Sequence, residues 1–433
     1  MTDPVRSIGV LGGGQLGWML GVAARRLGLA CTFLDPAETC PSDMTGPRIR
    51  AEYDDLDALD RLAAEVDVVT YEFENVPAAA AAHLAARLPV RPSPRSLDVA
   101  QDRLVEKRFI AALDIPVPGF AAVDGLGDLD AALDEVGTPA ILKTRRGGYD
   151  GKGQARVQRR ADAPAALVEL AGAPAIAESM VPFDLEASVL VVRSLDGDTR
   201  TWTPSRNHHA DGILRRSVVP DPAISDAASA AMRRHATTIA TALDHVGVLA
   251  VEFFVIGDDV LVNEIAPRVH NSGHLTIEHA ETSQFENHIR AVAELPLGST
   301  APQFAHATML NAIGGRPEAT SLATHAVHVI DEHGDPQASP PDDGAFWHDY
   351  RKSPRPGRKI GHLTVVGGMA RGMADAARIA ELASIVPGSG GDSGEWRVES
   401  GVEIRDLKLE IGGKGGRGLL DSAPPPGELR RRR

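Results

Sequence analysis

Two glutamates, Glu252 and Glu264, lie in "GVLAVEFFVIGDDVLVNEIAPR", a stretch that reads as two strands joined at "GDD". With Asp258 at the centre of a three-residue loop, antiparallel register sets the two carboxylates opposite each other on one face. Like charges so placed repel, and a divalent cation reverses the sign. Magnesium takes one or two carboxylates and completes its shell with water and phosphate oxygens. Glu252 and Glu264 are therefore the expected metal ligands. Two solvated glutamates are the bland alternative, and the Val, Phe, Leu and Ile positions around them, which call for burial on at least one side, weigh against it.

The phosphates to go with such a cation are suggested by "ILKTRRGGYDGKGQ", residues 141–154. An apolar strand delivers Lys143, two arginines follow, and Gly147, Gly148, Gly151 and Gly153 surround Lys152. The spacing is not that of a P-loop. A glycine-rich loop flanked by cations suits a polyphosphate, because backbone amides and lysines offset its charge while the loop closes over it. Directly after Glu264, "IAPRVHNSGHLT" packs Arg268, His270, Asn271, Ser272 and His274 into seven positions, a donor cluster for an anion or polar substrate. Late in the chain "YRKSPRPGRKIGH" gathers Arg351, Lys352, Arg355, Arg358 and Lys359 in a loop that prolines and Gly357 stiffen. At the other end, Gly12, Gly14 and Gly17 of "IGVLGGGQLGWML" fit a dinucleotide fingerprint, with Asp35 where a ribose-binding acid belongs. That pattern fixes only a tight turn and a helix N-terminus aimed at an anion; it does not say whose.

These segments must be positioned by several domains, since 433 residues exceed one core. Residues 1–98 alternate strand and helix as βαβαβ, which predicts a parallel sheet. A proline-rich break, "LPVRPSPRS", precedes an amphipathic helix over "DVAQDRLVEKRFIAALDI", and strands dominate from there to 300, which reads as α+β. A smaller unit, 301–386, shows strands in "HATMLNAIG" and "HAVHVI" and a helix in "ARGMADAARIAELASI". Residues 387–433 are rich in glycine, proline and arginine and read as a disordered tail. The formal charge of −14 argues against nucleic acid as a partner. Two cysteines, Cys31 and Cys40, exclude a disulfide framework and a four-cysteine zinc site. With no signal peptide and no membrane-length apolar run, a cytoplasmic enzyme is expected.

Five segments in order, "GGGQLG", "YEFENV", "GGYDGKGQ", "NEIAPRVHNSGH" and "RPGRKIGH", make the chain resemble the ATP-grasp superfamily from residue 5 to about 385. Within it, the chain is similar to the 5-(carboxyamino)imidazole ribonucleotide synthetase family of bacterial purine biosynthesis. The resemblance implies a Rossmann-like pre-ATP-grasp domain over 1–98, an ATP-grasp domain over 99–300 and a small C-terminal domain over 301–386, α/β and α+β in class. The implied activity is that of an ATP-grasp ligase: N-carboxylation of 5-aminoimidazole ribonucleotide by bicarbonate through carboxyphosphate, on the way to IMP, releasing ADP and phosphate.

Carried over position by position, the resemblance gives ATP to Arg103, Lys143, Gly148, Tyr149, Asp150, Gly151, Lys152, Gly153, Gln154, the hinge Glu178, Ser179, Met180 and Val181, then Glu186, His209, Asn263 and Glu264. Glu252 and Glu264 match magnesium (Mg2+) ligands. The ribonucleotide falls to Gln15, Leu16, Glu74, Tyr149, Arg268, His270, Asn271, Lys352 and Arg358, so "GGGQLG" holds a ribose phosphate rather than NAD. Asp150, His270 and Lys352 are the implied catalytic residues, and the amine proton goes to Asp150 or His270. The expected partners are these small molecules and, in a homodimer, a second copy of the chain, with no nucleic acid and no membrane. The rival readings are a nicotinamide dehydrogenase, which leaves the second glycine loop and the glutamate pair unused, a non-enzymatic nucleotide sensor, and the formate-using glycinamide ribonucleotide transformylase.

Overall fold

The structure, a computed structural model, describes residues 4–148, 151–335, 344–367 and 381–388. Tyr149, Asp150, most of the helix expected over 370–385 and the tail from residue 389 lie outside the described residues.

Strands β1 (Ser7–Leu11), β2 (Ala30–Leu34), β3 (Arg48–Ile49) and β4 (Val68–Tyr71) form the expected parallel sheet, in the order β3-β2-β1-β4. Alternate residues feed two cores. Ile8, Val10 and Phe33 pack under the helix Gln15–Arg26, whereas Leu11, Leu34 and Val69 pack under Leu56–Glu65. Both faces are covered, as a parallel sheet requires.

The helix read over 98–115 is two helices, Pro94–Gln101 and Arg103–Ala111. Asp102 breaks it: its carboxylate accepts from the amides of Leu104 at 3.0 Å and Val105 at 3.3 Å, which caps the second helix. Proline at the first turn starts the first one, so the proline-rich break is partly helical. Beyond it, β5 (Phe120–Val123), β6 (Ala140–Thr144), β7 (Gln154–Val157) and β8 (Ala175–Ser179) make a small antiparallel sheet ordered β5-β8-β6-β7.

The other strands build one ten-stranded sheet: β9 (Leu185–Arg193), β10 (Thr199–Thr201), β11 (Ser205–Ala210), β12 (Ile213–Val219), β13 (Gly247–Ile256), β14 (Asp259–Ala266), β15 (His306–Ile313), β16 (Val327–Val329), β17 (Gly344–Asp349) and β18 (Lys359–Gly367). Its order is β14-β13-β9-β11-β12-β15-β18-β17-β16, with β10 added on β9. Strands from both sides of residue 300 share this sheet through the β12–β15 pairing. In the 301–386 unit, two of them were not anticipated. β17 and β18 are buried along nearly their whole length, and a strand buried on both faces shows no alternation to read. The basic loop therefore ends before Lys359, which opens β18.

The glutamate hairpin corrects the expected turn while keeping its consequence. Ile256 pairs with Asp259, so the loop is Gly257-Asp258, two residues rather than three, with Gly257 at φ +56°. That turn alone would pair Glu252 with Asn263. A β-bulge between Glu252 and Phe253 takes up one residue and restores the Glu252–Glu264 pair. Among the described residues no helix is long and apolar enough to cross a membrane.

Candidate active site

The cationic side of the site is built on the capped helix Arg103–Ala111. Arg145 grips its cap, donating to Asp102 from Nε at 3.1 Å and Nη2 at 2.8 Å. Arg103 and Lys107, one turn apart, share a face of that helix. Arg103 Nη1 reaches Glu264 Oε2 at 2.6 Å. Lys107, fully buried, donates to the carbonyls of Asn263 at 2.6 Å and Val262 at 3.3 Å and lies 3.8 Å from Glu178 Oε2. Lys143, at the end of β6, donates to the same Glu178 oxygen at 2.8 Å. Burial would raise the Glu178 carboxyl, but the two lysines hold it below its ordinary range. Lys107 was missed in the sequence; its four-residue offset from Arg103 was the available signal.

Burial and the charge of Glu264 push Glu252 up to about 7. Glu264 is buried against the same tendency, yet Arg103 and Lys143 pull it down to about 2. Glu264 thus has an arginine at hydrogen-bond distance, whereas His209 and Lys359 offset only part of the rise at Glu252. Among the described residues no three acidic, histidine or cysteine side chains converge on a metal position, but a pair suffices for magnesium when phosphate oxygens complete the shell. The buried Oδ1 of Asn263, next to Glu264 in the chain, finds no hydrogen-bond partner among the described residues. These donors fit a cation brought in with a nucleotide. Nearby, His209 Nδ1 meets Glu186 Oε2 at 2.8 Å; burial lowers the imidazole, and the carboxylate more than reverses this, leaving it raised.

Of the glycine loop, Gly148, Gly151, Lys152, Gly153 and Gln154 are described. Gly151 and Gly153 have φ of +75° and +71°, and Gly151 lies against the turn at Asp211 and Gly212. Gln154 pairs with Lys143 across β7 and β6. In the hinge, the amides of Ser179 and Met180 donate to Gly119 O at 2.8 Å and Pro139 O at 3.2 Å, while Met180 and Val181 keep half-buried side chains.

The described residues expected to meet the ribonucleotide come from four distant segments. Lys352 Nζ bonds Gln15 Oε1, and Arg268 Nε bonds Glu74 Oε2. His270 Nε2 lies 3.3 Å from Glu252 Oε1. Burial and Arg268 push His270 down to about 3, so it is neutral. Both amide atoms of Asn271 are buried without a hydrogen-bond partner among the described residues. Leu16 is buried, and Arg358 Nη1 closes its loop on Ser353 O at 3.2 Å. His274 faces away, in a buried group with His362 at 4.8 Å and Phe285 at 5.6 Å between ring centres.

The first glycine loop is not an open anion site. Glu72 accepts from the amides of Gly14 and Gly17, both at 2.5 Å, and Asp35 accepts from Gly13 N at 2.8 Å and from Tyr53 Oη at 2.8 Å. A Cβ on Gly14 would stand 2.5 Å from Glu72 Oε1, and one on Gly12 would stand 2.4 Å from Glu72 Cγ. Those glycines make room for a carboxylate of the chain itself. Asp35, turned back onto the loop, is not presented as a ribose ligand.

Three family models match the chain: a ribonucleotide synthetase preATP-grasp domain over residues 5–101, an ATP-grasp domain over 108–285 and a phosphoribosylaminoimidazole carboxylase C-terminal domain over 307–375. The N5-carboxyaminoimidazole ribonucleotide synthase of Pseudomonas aeruginosa is 46% identical over 379 residues, 88% of this chain and 99% of the relative. The crystal structure of the N5-carboxyaminoimidazole ribonucleotide synthetase of Thermus thermophilus matches with a TM-score of 0.79 at 46% identity, covering 88% of this chain and 98% of that one. The Aspergillus clavatus synthase, solved with ADP and 5-aminoimidazole ribonucleotide, matches with a TM-score of 0.76 at 30% identity, with coverage of 88% and 98%.

Proposed function

The chain belongs to the N5-carboxyaminoimidazole ribonucleotide synthases of the ATP-grasp superfamily, and from that premise we propose how its own residues divide the work. It is an ATP-grasp ligase that carboxylates 5-aminoimidazole ribonucleotide with ATP in purine biosynthesis. The observation that carries the division of labour is the contact between His270 and Glu252, where the donor loop of one half-site touches the carboxylate pair of the other.

In this reading Arg103, Lys143, the glycine loop, the hinge and Glu186, His209, Asn263 and Glu264 bind ATP. Lys107 holds the β14 backbone in place beneath it. Magnesium on Glu252 and Glu264 would supply charge neutralisation for the transferring phosphoryl group. Bicarbonate is a poor electrophile. Its oxygen takes the γ-phosphoryl group to give carboxyphosphate and ADP; the ribonucleotide amine then takes the carboxyl group, phosphate leaves, and Asp150 or His270 receives the amine proton. Lys352 and Arg268 line the path of these anions, with Gln15, Leu16, Glu74, Tyr149, Asn271 and Arg358 on the ribonucleotide. Water must be excluded while carboxyphosphate exists, a task suited to the glycine loop.

We divide the chain at residues 98 and 300, near the gaps between the three family matches. A cytoplasmic homodimer is part of the same reading and is supported by the family resemblance. The test is ADP release measured with ribonucleotide and bicarbonate each omitted in turn. Release that needs both supports the assignment; release indifferent to both refutes it.

A further inference from the structure

Behind His270 lies a set of small polar side chains with no part in the assignments above. Ser188 on β9 is directly opposite Glu252 on β13 and, on its other side, opposite Ser205 on β11. Ser205, Ser188, Glu252 and Glu264 therefore form one row across four strands, and side chains directly opposite share a face. Ser188, Ser205, Asn207, Ser217 and Ser272 are all buried, so each polar atom needs a partner inside the protein.

Ser205 Oγ lies 2.9 Å from Ser188 Oγ, a contact in which either hydroxyl can donate; with Ser205 donating, the hydrogen bonds make one path toward His270. Ser217 Oγ donates to Asn207 Oδ1 at 2.8 Å, Asn207 Nδ2 donates to Ser188 Oγ at 3.0 Å, and Ser188 Oγ donates to Ser272 Oγ at 2.8 Å. A hydroxyl has a single hydrogen to give. Since Ser272 Oγ accepts from Ser188, its own hydrogen is available to His270 Nδ1, 2.9 Å away. The Ser272 backbone N–H also points at Nδ1, at 3.4 Å. A backbone N–H can only donate; at 3.4 Å it is a weak contact that favours an unprotonated Nδ1, and the shorter bond from the hydroxyl decides.

We propose that Ser272 is a positioning residue that fixes His270 as the tautomer with its proton on Nε2, which makes His270 a hydrogen-bond donor in the reaction and not the acceptor of the amine proton. Nε2 is the nitrogen that faces Glu252 Oε1 at 3.3 Å, a donor opposite an acceptor. In the loaded enzyme the same N–H is aimed at the oxygens of the carboxyl donor. A neutral imidazole whose second nitrogen is occupied by Ser272 has no lone pair left for the amine proton, which goes to another group. The catalytic meaning rests on the ribonucleotide reading of the His270 loop; the tautomer does not.

The test uses the full-length enzyme labelled with 15N-histidine, the His270 signals being assigned by their loss in His270→Gln. Long-range 15N–1H spectra of the free enzyme should give His270 an unprotonated Nδ1 and a protonated Nε2. Ser272→Ala should move the signals toward a mixture of tautomers and lower kcat for carboxylation by roughly tenfold, the scale of one hydrogen bond, with KM for ATP unchanged. Ser272→Thr, which keeps the hydroxyl, should restore both. Should Ser272→Ala not fold, Ser188→Ala removes the donor behind it and should move spectrum and kcat in the same direction by less. A protonated Nδ1 in the wild type overturns the proposal, and so does a Ser272→Ala enzyme with unchanged spectrum and kcat. Failure of the ribonucleotide reading would appear instead as His270 signals that ignore added ribonucleotide.

Discussion

Gln15 and Lys352 are 337 positions apart in the chain and hydrogen-bonded to each other through Oε1 and Nζ. The first glycine loop therefore meets the C-terminal basic loop, and the pocket proposed for the ribonucleotide depends on that meeting. Lys352 also lies 5.9 Å above the ring of Tyr350. Burial lowers its pKa to about 8 even though Glu72 nearby works the other way. An ammonium held in this way is placed to meet an anion.

Lys352→Met should uncouple the two half-reactions. It removes a cation from the proposed path of carboxyphosphate, so ADP should form in excess of carboxylated product, with KM for ATP near wild type. The ratio of ADP to product, measured in one reaction mixture, decides. A ratio of one with normal ribonucleotide affinity would remove Lys352 from the site.

Glu264→Gln keeps volume and loses charge. With Glu252 it forms the cross-strand pair offered as metal ligands, so ATP turnover should fall by about 100-fold or more, the scale of losing one preorganised electrostatic contact. The melting temperature should fall as well, because Arg103 keeps an acceptor but loses its charge partner, so turnover is compared at a temperature where both proteins remain folded. Near-normal turnover at limiting magnesium would falsify the metal role.

Glu252 ties stability to pH. Its folded-state pKa is raised from 4.5 to about 7, so between those values the folded chain holds more protons than the unfolded one, and stability falls as pH rises. Glu264, lowered to about 2, acts with the opposite sign and below that window, its contribution being lost as pH falls from 4.5. Without metal and nucleotide, the wild type should lose melting temperature between pH 5 and pH 8 relative to Glu252→Gln, which cannot ionise there. Magnesium with ATP should flatten the difference. Parallel melting curves for the two proteins across this range would contradict the raised pKa.

Glu72→Ala tests the first glycine loop. It strands the amides of Gly14 and Gly17, which Glu72 holds at 2.5 Å, at a cost of about 1–3 kcal/mol for a buried donor left without its partner. Urea denaturation should show that loss. Ribonucleotide affinity should weaken as Gln15 shifts, and ATP affinity should not. An unchanged unfolding midpoint would mean that the carboxylate does not hold the loop.

The sequence by itself determined what depends on neighbours a few residues apart. Strand–helix alternation up to Tyr71, the glycine turns and the adjacency of Glu264 to Arg268 and His270 are local, and side-chain period and backbone sterics express them wherever the segment sits. Tertiary structure decided what depends on partners far along the chain. The Glu252–Glu264 pair needed a bulge that no local rule announces, because the two-residue turn alone gives a different register. β17 and β18 were hidden because burial on both faces erases alternation. Lys107 and Lys143 were chosen as partners of Glu178 by the packing of a helix against two sheets, and Glu72, two residues from Glu74, went to the glycine loop while Glu74 went to Arg268. A buried charge or polar atom must find a partner inside the fold. Which partner it finds is a matter of distance in space, and only the packed chain sets that distance.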